Sequence, residues 1–576
     1  MSAPNPSVAQ ARVLVDELRR CGVTDVVVAP GSRSTALAMA FHADPRIRLH
    51  VRIDERSASF VALGIGRITR RPVPVVTTSG TAVANLLPAV VEADLAGVPL
   101  LILSADRPPE LRDTGANQAI DQIRMFGDRV RWACELGVAE DRPDAVALWR
   151  STAARAVGEA VGWSGRPGPV HVNLPFREPT VPAEDDGRRS APAFGHDLAG
   201  RPDDRPWLQV HRRTAAPAGD VVADVVRTVS GARGVIGLAD PDADPAGVAT
   251  LAALLGWPVV VEPPGRAEGP NVIPHASAHL TATIGHLRPD VVLLIGRTSC
   301  SRALTRMVAE AEEVLVVSAS GAWVDPARTA TQIVSTDADA LLSAVADAAP
   351  AAAPADWLAR WQAVGAAADE VVAARATGLD EPAVARTVVA ATPAGGLVVV
   401  ASSMPIRDVE TWATPRADLA LLANRGASGI DGFVSTAIGA ASAHEGPTTV
   451  LCGDLSFLHD RNGLLVPGEE RVGDITFVVV DNDGGGIFHF LPQADHAGFE
   501  RLFGTAHGID LTAVGATHGL DVVEVASVAE LAATVAAPDG WRLVVVSTDR
   551  NANRSVHTDL EGAVTEAVQR ALASQA

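Results

Sequence analysis

Short runs of apolar residues alternate with longer amphipathic segments along most of the chain. Each run in the first block of the sequence has the length of a strand. Strands that are hydrophobic at consecutive positions are typical of parallel sheets covered by helices on both faces. The pattern in this block predicts strands at residues 26–29, 47–53, 73–78, 99–104 and 170–173.

The same alternation returns twice further along the chain. A stretch rich in Pro, Asp and Arg at 184–206 predicts a surface linker, and a second connecting and helical segment is predicted at 351–380. The predicted fold class is α/β, with three doubly wound parallel-sheet domains at 1–183, 207–350 and 381–576. The strands predicted in the later blocks lie at 234–239, 258–262, 291–295, 313–318, 397–401 and 543–547, and a terminal helix is predicted to begin near Asp559.

The composition excludes several classes of protein. A chain of 576 residues with 47% hydrophobic and 20% charged residues is globular and long enough for more than one core. Its net charge of −20 disfavours binding to nucleic acid or to an anionic membrane. Because no apolar run is long enough for a bilayer and the N-terminus does not resemble a leader, we expect a cytoplasmic protein without membrane insertion.

The absence of two residue types limits the chemistry further. The chain contains no lysine and no tyrosine. A lysine Schiff base and the lysine of a phosphate-binding P-loop are therefore both excluded. Acid–base chemistry is left to His, Asp, Glu, Cys or a bound cofactor. Four histidines are alternative proton carriers, although a structural role is commoner for each, and the last is the first to test: His42, His50, His459 and His489.

Two oxygen-bearing side chains follow predicted buried strands in the third block. Asp454 ends one strand, and Asn482 ends the next, one strand–helix–strand unit further on. One carboxylate and one amide oxygen are too few for a closed metal cage, but Mg²⁺ accepts such a partial set when a diphosphate supplies further oxygens. Gly484 begins a run of three glycines, and its carbonyl is a candidate third ligand. The alternative interpretation is that these residues only close turns after strands.

The same residues resemble a known cofactor motif. Gly453-Asp454 and Asp481-Asn482 are similar to the diphosphate and magnesium motif of thiamine-diphosphate (ThDP) enzymes, usually written Gly-Asp-Gly and, further on, Asn-Asn. Leu455 replaces the last Gly of that pattern and Asp481 its first Asn. The resemblance implies ThDP and Mg²⁺ (or Mn²⁺) as cofactors. It implies that Asp454, Asn482 and Gly484 hold the cation.

ThDP enzymes also need a carboxyl group beside N1′ of the aminopyrimidine ring. Glu55, just after the predicted strand 47–53, is the candidate. Taken alone, a Glu at this place is more simply a surface residue that starts a helix. The resemblance to the ThDP motif favours the catalytic role.

Seven further segments narrow the resemblance to the menaquinone-biosynthesis branch of the ThDP enzymes. That branch decarboxylates 2-oxoglutarate and adds the resulting succinyl unit to isochorismate in a 1,4-addition. In the family the cofactor lies between domains of different subunits, so the resemblance implies a homodimer or a homotetramer. The segments are 30–34, 54–56, 78–82, 104–108, 115–118, 402–408 and 424–431.

Arginines follow predicted strands in all three blocks. An arginine fork suits carboxylates, because two parallel N–H donors meet two oxygens, and the two substrates of that branch carry four carboxylates between them. Each arginine alone is more simply one half of a solvent-exposed ion pair. The set is Arg33, Arg107, Arg302, Arg407 and Arg425.

The resemblance implies roles for most of the remaining site residues. The resemblance places Arg302 at a lysine position of some relatives, and its role stays open. The isochorismate side is Ser32, Arg33, Arg107, Asn117 and Gln118, and the 2-oxoglutarate side is Ser403, Arg407 and Arg425. The implied cofactor contacts besides Glu55 and the cation ligands are Ser403, Ile430, Gly453, Leu455, Ser456, Gly485, Gly486, Ile487 and Phe488, of which Ile430 props the cofactor and the last two form an apolar wall.

Two other interpretations stay open. One is a different ThDP-dependent 2-oxoacid decarboxylase or carboligase, such as an acetolactate synthase, which acts on small keto acids in an apolar pocket. The arginine set argues against it. The other is a nucleotide-binding or regulatory α/β protein without catalysis, in which Glu55 is freely replaceable.

Overall fold

The computed structural model describes residues 5–181, 193–211, 216–318 and 323–574, and within these ranges it contains three sheets. Every strand pair in the three sheets is parallel, and α-helices connect most successive strands. The predicted fold class is therefore confirmed. None of the described helices combines the length and the apolar character that crossing a bilayer requires.

The first sheet has six strands in the order β2-β1-β3-β4-β6-β5. Its strands are β1 Asp25–Val28, β2 Arg48–Val51, β3 Val73–Thr77, β4 Leu100–Asp106, β5 Trp132–Glu135 and β6 Pro169–Pro175. Its helices are α1 Pro6–Arg20, α2 Thr35–His42, α3 Glu55–Thr69, α4 Thr81–Ala84, α5 Leu87–Ala96 and α6 Ala145–Ala160.

The second sheet has five strands in the order β11-β10-β9-β7-β8. Its strands are β7 Gly234–Leu238, β8 Val259–Val261, β9 Val291–Ile295, β10 Glu313–Val317 and β11 Gln332–Val334. The helices of this part of the chain are α7 Gly219–Val229, α8 Pro245–Leu255, α9 Ala276–Ile284, α10 Arg302–Glu310, α11 Ala338–Asp347 and α12 Asp356–Arg375.

The third sheet has six strands in the order β13-β12-β14-β15-β17-β16. Its strands are β12 Leu397–Val400, β13 Ala420–Leu422, β14 Thr448–Gly453, β15 Ile475–Asp481, β16 Asp521–Glu524 and β17 Trp541–Ser547. The helices are α13 Glu381–Ala391, α14 Met404–Trp412, α15 Phe433–Ala443, α16 Asp454–His459, α17 Leu511–Thr517, α18 Val528–Ala536 and α19 Arg550–Ala573.

The chain folds into two compact units. The first consists of residues 1–213, 424–445 and 459–472 and contains the first sheet; the second consists of 214–423, 446–458 and 473–576 and contains the other two. The predicted domain boundaries at 183, 206, 350 and 380 stay predictions, and residues 184–192 of the predicted linker lie outside the described ranges.

Inside the first unit, α3 and α15 are in very close contact. A Cβ added to Gly64 would lie 2.1 Å from the carbonyl oxygen of Thr436, and one added to Gly439 would lie 2.1 Å from that of Val61. Both positions therefore require glycine, since any side chain would force the two helices apart. This packing fixes α3, the helix that begins with Glu55.

The terminal helix was predicted to begin near Asp559, and this prediction is wrong. The helix begins at Arg550, because the side chain of Asp549 accepts hydrogen bonds from the backbone N–H groups of Asn551 and Ala552 and so caps it. Four strands that the apolar pattern does not predict are β5, β11, β13 and β16. All four lie at sheet edges and are only partly buried; β5, β11 and β16 include polar residues, and β13 is only three residues long.

Candidate active site

The ends of β14 and β15 lie side by side in the second unit. The two strands pair from Thr448 with Ile475 to Gly453 with Val480. Because parallel neighbours end at the same edge of the sheet, the residues that follow them, Asp454 and Asn482, come together. The backbone N–H of Asn482 donates a hydrogen bond of 3.2 Å to Asp454 Oδ2.

Asp454 is a buried carboxylate surrounded by N–H donors. Besides Asn482, its Oδ2 accepts the backbone N–H of Gly484 at 2.9 Å and Nε2 of His507 at 3.2 Å. Its Oδ1 accepts the backbone N–H of Leu455 at 2.5 Å. Since three donors already occupy Oδ2, Oδ1 is the oxygen with greater capacity to bind a cation.

Asn482 presents an amide oxygen that nothing in the described part of the chain satisfies. Its Nδ2 donates to Oε1 of the buried Glu381 at 2.8 Å, whereas its Oδ1 is buried and has no hydrogen-bond partner among the described residues. An unsatisfied buried polar atom costs roughly 1–3 kcal/mol. A hard cation at Oδ1 would remove that cost, so the donor set fits Mg²⁺ or Mn²⁺.

The glycines after Asn482 make room for close backbone packing. Gly484 has φ 138°, and a Cβ there would lie 2.0 Å from the carbonyl oxygen of Gly504. A Cβ on Gly485 would lie 2.2 Å from the carbonyl oxygen of Phe503. The Gly485 N–H donates to the carbonyl oxygen of Gly504 at 2.7 Å, and the Gly486 N–H donates to the carbonyl oxygen of Gly484 at 3.0 Å.

Two further titratable groups lie beside Asp454. Ligand atoms of Asp454, Asp481 and His507 are all within 4.8 Å of one another. Burial and then the Asp454 carboxylate raise the pKa of Asp481 above its usual value. His507 Nδ1 accepts the backbone N–H of Ile509 at 3.0 Å, so the ring proton is on Nε2, which acts as a donor and not as a metal ligand.

Neither Glu381 nor His507 was predicted from the sequence. Glu381 is the first residue of α13, and His507 lies in the loop before α17, so both are far along the chain from the motif residues that they contact. No motif identifies either one. Burial, and then the nearby Asp408 carboxylate, raise the pKa of Glu381 to about 7.

The predicted apolar wall lies just beyond the glycines. Ile487 and Phe488 are half-buried, and the Phe488 ring packs 5.5 Å from that of Phe503. Earlier in the motif, Ser456 is buried, while Gly453 and Leu455 are half-buried.

The histidines considered as proton carriers divide into two groups. His489 lies 3.2 Å from Asn551 Oδ1 and packs against the Phe499 ring at 4.7 Å, and the buried His50 lies 3.0 Å from Asp25. These contacts agree with structural roles for both. The other two, His42 and His459, are exposed.

Ser403 and Arg407 share the first turn of α14. Ser403 precedes the helix with φ 79°, a left-handed conformation that a non-glycine residue adopts only at a cost. Arg407 Nη1 donates to the carbonyl oxygen of Ser403 at 2.5 Å. Arg302, by contrast, is the exposed first residue of α10.

In the first unit, Arg33 and Arg107 form a buried cationic pair. Arg33 Nη1 donates to the carbonyl oxygen of Phe176 at 3.0 Å, and Arg107 Nε donates to that of Asn117 at 3.1 Å. Burial and then the Arg107 charge lower the pKa of Arg33. Arg33 Nε and Arg107 Nη1 are buried without a partner among the described residues. A carboxylate would satisfy such donors.

Of the other predicted residues of this side, Asn117 contacts Arg107, and Ser32 precedes Arg33 in the chain. Ser32, Asn117 and Gln118 are exposed, and Gln118 has φ 51°. Ser79 Oγ donates to the carbonyl oxygen of Gln118 at 2.8 Å, which holds its backbone.

Gln122, which sequence reasoning missed, connects the ends of three strands. Its Oε1 accepts the backbone N–H of Gly80 at 2.9 Å. Its Nε2 donates to Asn173 Oδ1 at 2.9 Å and to the carbonyl oxygen of Ala105 at 3.2 Å. The residue is almost fully buried, so it fixes the loops that carry Arg107 and Gln118.

The remaining predicted residues of the first unit lie on two elements. Glu55 is the half-buried first residue of α3, and Asp54 caps that helix by accepting the Ser57 N–H at 3.2 Å. Arg425 is buried and Ile430 is half-buried in the segment that leads to α15.

Two protein-family models match the chain. The N-terminal TPP binding domain of thiamine pyrophosphate enzymes matches residues 9–125, and the C-terminal TPP binding domain of the same enzymes matches residues 412–546. These matches include Glu55 in one region and Asp454 and Asn482 in the other.

Curated relatives match nearly the whole chain. A Thermobifida fusca protein named 2-succinyl-5-enolpyruvyl-6-hydroxy-3-cyclohexene-1-carboxylate synthase is 46% identical over 98% of this chain and 100% of its own length. Proteins of the same name from Saccharopolyspora erythraea and Halobacterium salinarum are 44% and 40% identical, over 97% and 98% of this chain and 99% of their own lengths.

Proposed function

The chain belongs to the family of 2-succinyl-5-enolpyruvyl-6-hydroxy-3-cyclohexene-1-carboxylate (SEPHCHC) synthases, which are ThDP enzymes, and from this premise we propose its reaction. It decarboxylates 2-oxoglutarate and joins the succinyl unit to isochorismate in menaquinone biosynthesis. The observation that carries the proposal is the 46% identity over almost the full length of chain and relative. An acetolactate synthase is not favoured, because relatives that match nearly the whole chain are named SEPHCHC synthase.

Bound ThDP would supply the nucleophilic carbon and accept the electron pair released by decarboxylation. The protein's part is to hold the cofactor, both substrates and the protons. We propose that Asp454 Oδ1, Asn482 Oδ1 and the Gly484 carbonyl hold Mg²⁺ or Mn²⁺; the unsatisfied Asn482 oxygen supports this assignment. Glu55 would share a proton with N1′ of the aminopyrimidine.

The glycine-rich segment completes the proposed cofactor contacts. Gly485 and Gly486 would let the backbone approach the diphosphate, and Ile487 and Phe488 would exclude water beside it. Ile430 would support the cofactor from the segment before α15. The remaining proposed contacts are Ser403, Gly453, Leu455 and Ser456.

The buried pair of Arg33 and Arg107 supports a substrate with several carboxylates. Both side chains have a buried nitrogen without a partner among the described residues, and an isochorismate carboxylate would pair with both. We propose that Ser32, Asn117 and Gln118 contact the same substrate. Arg407, Arg425 and Ser403 would hold 2-oxoglutarate, and Arg302 would add positive charge.

The proposed reaction is tested with purified protein, ThDP, Mg²⁺ and both substrates. We expect CO₂ release from 2-oxoglutarate and a product with the mass of SEPHCHC when isochorismate is present. Pyruvate in place of 2-oxoglutarate is the control and should release little CO₂. Release from pyruvate but not from 2-oxoglutarate would overturn the assignment in favour of another ThDP enzyme.

We also propose that the active protein is a homodimer or a homotetramer, as the family resemblance implies. Light scattering after size-exclusion chromatography would measure its mass against the 59.5 kDa of one chain. A monomer that turns over both substrates would contradict this proposal. From the same family resemblance we propose three domains, at residues 1–183, 207–350 and 381–576.

A further inference from the structure

Two side chains outside the cation motif contact the two side chains that we assign as ligands. Glu381 Oε1 accepts the amide N–H of Asn482 at 2.8 Å, and His507 Nε2 donates to Asp454 Oδ2 at 3.2 Å. Resting on the function proposed above, we propose that Glu381 and His507 are positioning residues of the cation site, each of which selects the orientation of one ligand.

Asn482 needs such a partner because its amide has two chemically different ends. A half-turn of the amide exchanges the oxygen, which binds a cation, with the NH₂ group, which repels one. Oε1 of Glu381 is the acceptor of the hydrogen bond from Nδ2, and an accepting oxygen at this place would repel Oδ1. It therefore holds the amide with Oδ1 free for the cation, in the orientation where that oxygen is buried and unpaired among the described residues.

The position of Glu381 is itself well defined. It is buried at the start of α13, where Asp380 caps the helix by accepting the N–H of Ala383 at 2.9 Å. Thr548 Oγ1 lies 3.4 Å from the same oxygen, Oε1, that Asn482 contacts. The carboxyl is thus held in place, so it can fix the orientation of the Asn482 amide.

His507 acts on the other ligand through a fixed tautomer. The N–H of Ile509 donates to Nδ1 at 3.0 Å, so Nε2 carries the proton that is donated to Asp454. The backbone N–H groups of His507 and Gly508 donate to Asp483 Oδ1 at 2.9 and 2.8 Å, which holds the loop in place. With Oδ2 occupied by this donor and two backbone N–H groups, Asp454 is left to bind the cation through Oδ1.

The test measures cation binding directly and does not depend on turnover. Protein with saturating ThDP is titrated with Mn²⁺, and free Mn²⁺ is followed by electron paramagnetic resonance. Residues that orient metal ligands typically contribute about 10–100-fold to metal affinity. We expect Glu381→Ala and His507→Ala to raise the Mn²⁺ Kd by about that factor.

Conservative variants test whether a retained hydrogen-bonding group is enough for cation binding. Glu381→Gln keeps an acceptor for the Asn482 amide, and His507→Gln keeps a donor near the place of Nε2, so both should bind Mn²⁺ within a few-fold of the wild type. Glu566→Ala, at an exposed position of α19, is the control for a general effect of removing a carboxylate and should not change the Kd.

Three outcomes would overturn the inference. The first is an unchanged Mn²⁺ Kd in both alanine variants; the second is equal weakening by alanine and glutamine, which would mean that the retained acceptor or donor does not set the Mn²⁺ affinity. The third is a nitrogen hyperfine coupling to Mn²⁺ that His507→Gln removes, because His507 would then be a direct ligand. If the alanine variants do not fold, the glutamine variants still test the inference. A large loss of Mn²⁺ affinity in the glutamine variants would contradict positioning by hydrogen bonds.

The outcome for the proposed function is separate. Wild-type protein that binds ThDP and Mn²⁺ but releases no CO₂ from 2-oxoglutarate would refute that function and leave the positioning roles intact. Full turnover by the wild type, together with unchanged Mn²⁺ affinity in Glu381→Ala and His507→Ala, would refute the positioning roles alone.

Discussion

The carboxylate of Glu92 accepts the backbone N–H groups of both residues that follow Arg425: Gly426 donates to Oε1 at 2.7 Å, and Ala427 donates to Oε2 at 2.6 Å. Glu92 is buried in α5, and a Cβ on Gly426 would lie 2.6 Å from its carbonyl oxygen. A single buried acid therefore fixes the backbone that carries Arg425, one of the arginines proposed to hold 2-oxoglutarate.

We predict that Glu92→Gln weakens the binding of 2-oxoglutarate more than it slows the reaction. Glutamine has one acceptor oxygen, so one of the two N–H groups loses its partner, and a hydrogen bond to a charged group is worth about 1.5–3 kcal/mol. The KM for 2-oxoglutarate should rise by roughly tenfold or more, with a smaller change in kcat. Glu566→Gln is the matched control, and an unchanged KM in Glu92→Gln would show that the loop does not need this acid.

The sequence predicts the buried part of this fold better than its edges. Fully apolar strands such as β9 were predicted because both faces are covered, whereas β5 and β16 at sheet edges carry polar residues on exposed positions. The start of α19 was missed because its cap, Asp549, lies in a polar stretch without an apolar period.

For the site, spacing along the chain identifies residues that follow adjacent strands. Asp454 and Asn482 belong to one strand–helix–strand unit, so their proximity is predictable from topology alone. Their partners Glu381 and His507, and Glu92 in the first unit, come from segments with no motif and no regular spacing to the residues they contact. Only the packed structure identifies them.

A second prediction concerns Gly484→Ala. The added Cβ would lie 2.0 Å from the carbonyl oxygen of Gly504, and φ 138° is strained for alanine even without that contact. The turn must move, which displaces both the Gly484 carbonyl and the N–H that donates to Asp454. We expect ThDP and Mg²⁺ affinity to fall by at least about tenfold in calorimetric titration.

Gly562→Ala is the control for that variant. Gly562 is exposed within α19, nothing lies within 4 Å of its added Cβ, and alanine favours a helix. It should bind ThDP normally and be slightly more stable than the wild type. Equal ThDP affinity in Gly484→Ala and Gly562→Ala would contradict the assigned role of the Gly484 turn.

A third prediction separates the role of Glu55 from that of the cation site. Glu55→Gln removes the carboxyl that is proposed to share a proton with N1′ but leaves every proposed cation ligand in place. CO₂ release should fall by roughly 10²–10⁴-fold, the usual contribution of a general acid or base. ThDP affinity, measured by calorimetry, should change only a few-fold. Full turnover in this variant would remove Glu55 from the mechanism.

A fourth prediction is a pH dependence of stability that arises from Asp460. This fully buried carboxyl accepts the Ser435 N–H at 2.7 Å and lies 3.4 Å from Arg56, and burial raises its pKa from the usual 3.8 to about 6. Because the folded state holds this proton up to a higher pH than the unfolded state does, stability falls as the pH rises from about 4 to 6 and the loss persists above that.

Asp460→Asn removes the titrating group but keeps an acceptor for the Ser435 N–H. The difference between a pKa of 3.8 in the unfolded state and about 6 in the folded state corresponds to roughly 3 kcal/mol of stability. The Tm of Asp460→Asn, relative to the wild type, should therefore rise between about pH 4 and 6 and then stay level in differential scanning fluorimetry. Asp559→Asn, at an exposed position of α19, should follow the wild-type profile at every pH. Parallel Tm profiles for Asp460→Asn and the wild type would mean that the buried carboxyl titrates normally, because a group with the same pKa in both states cannot make stability depend on pH.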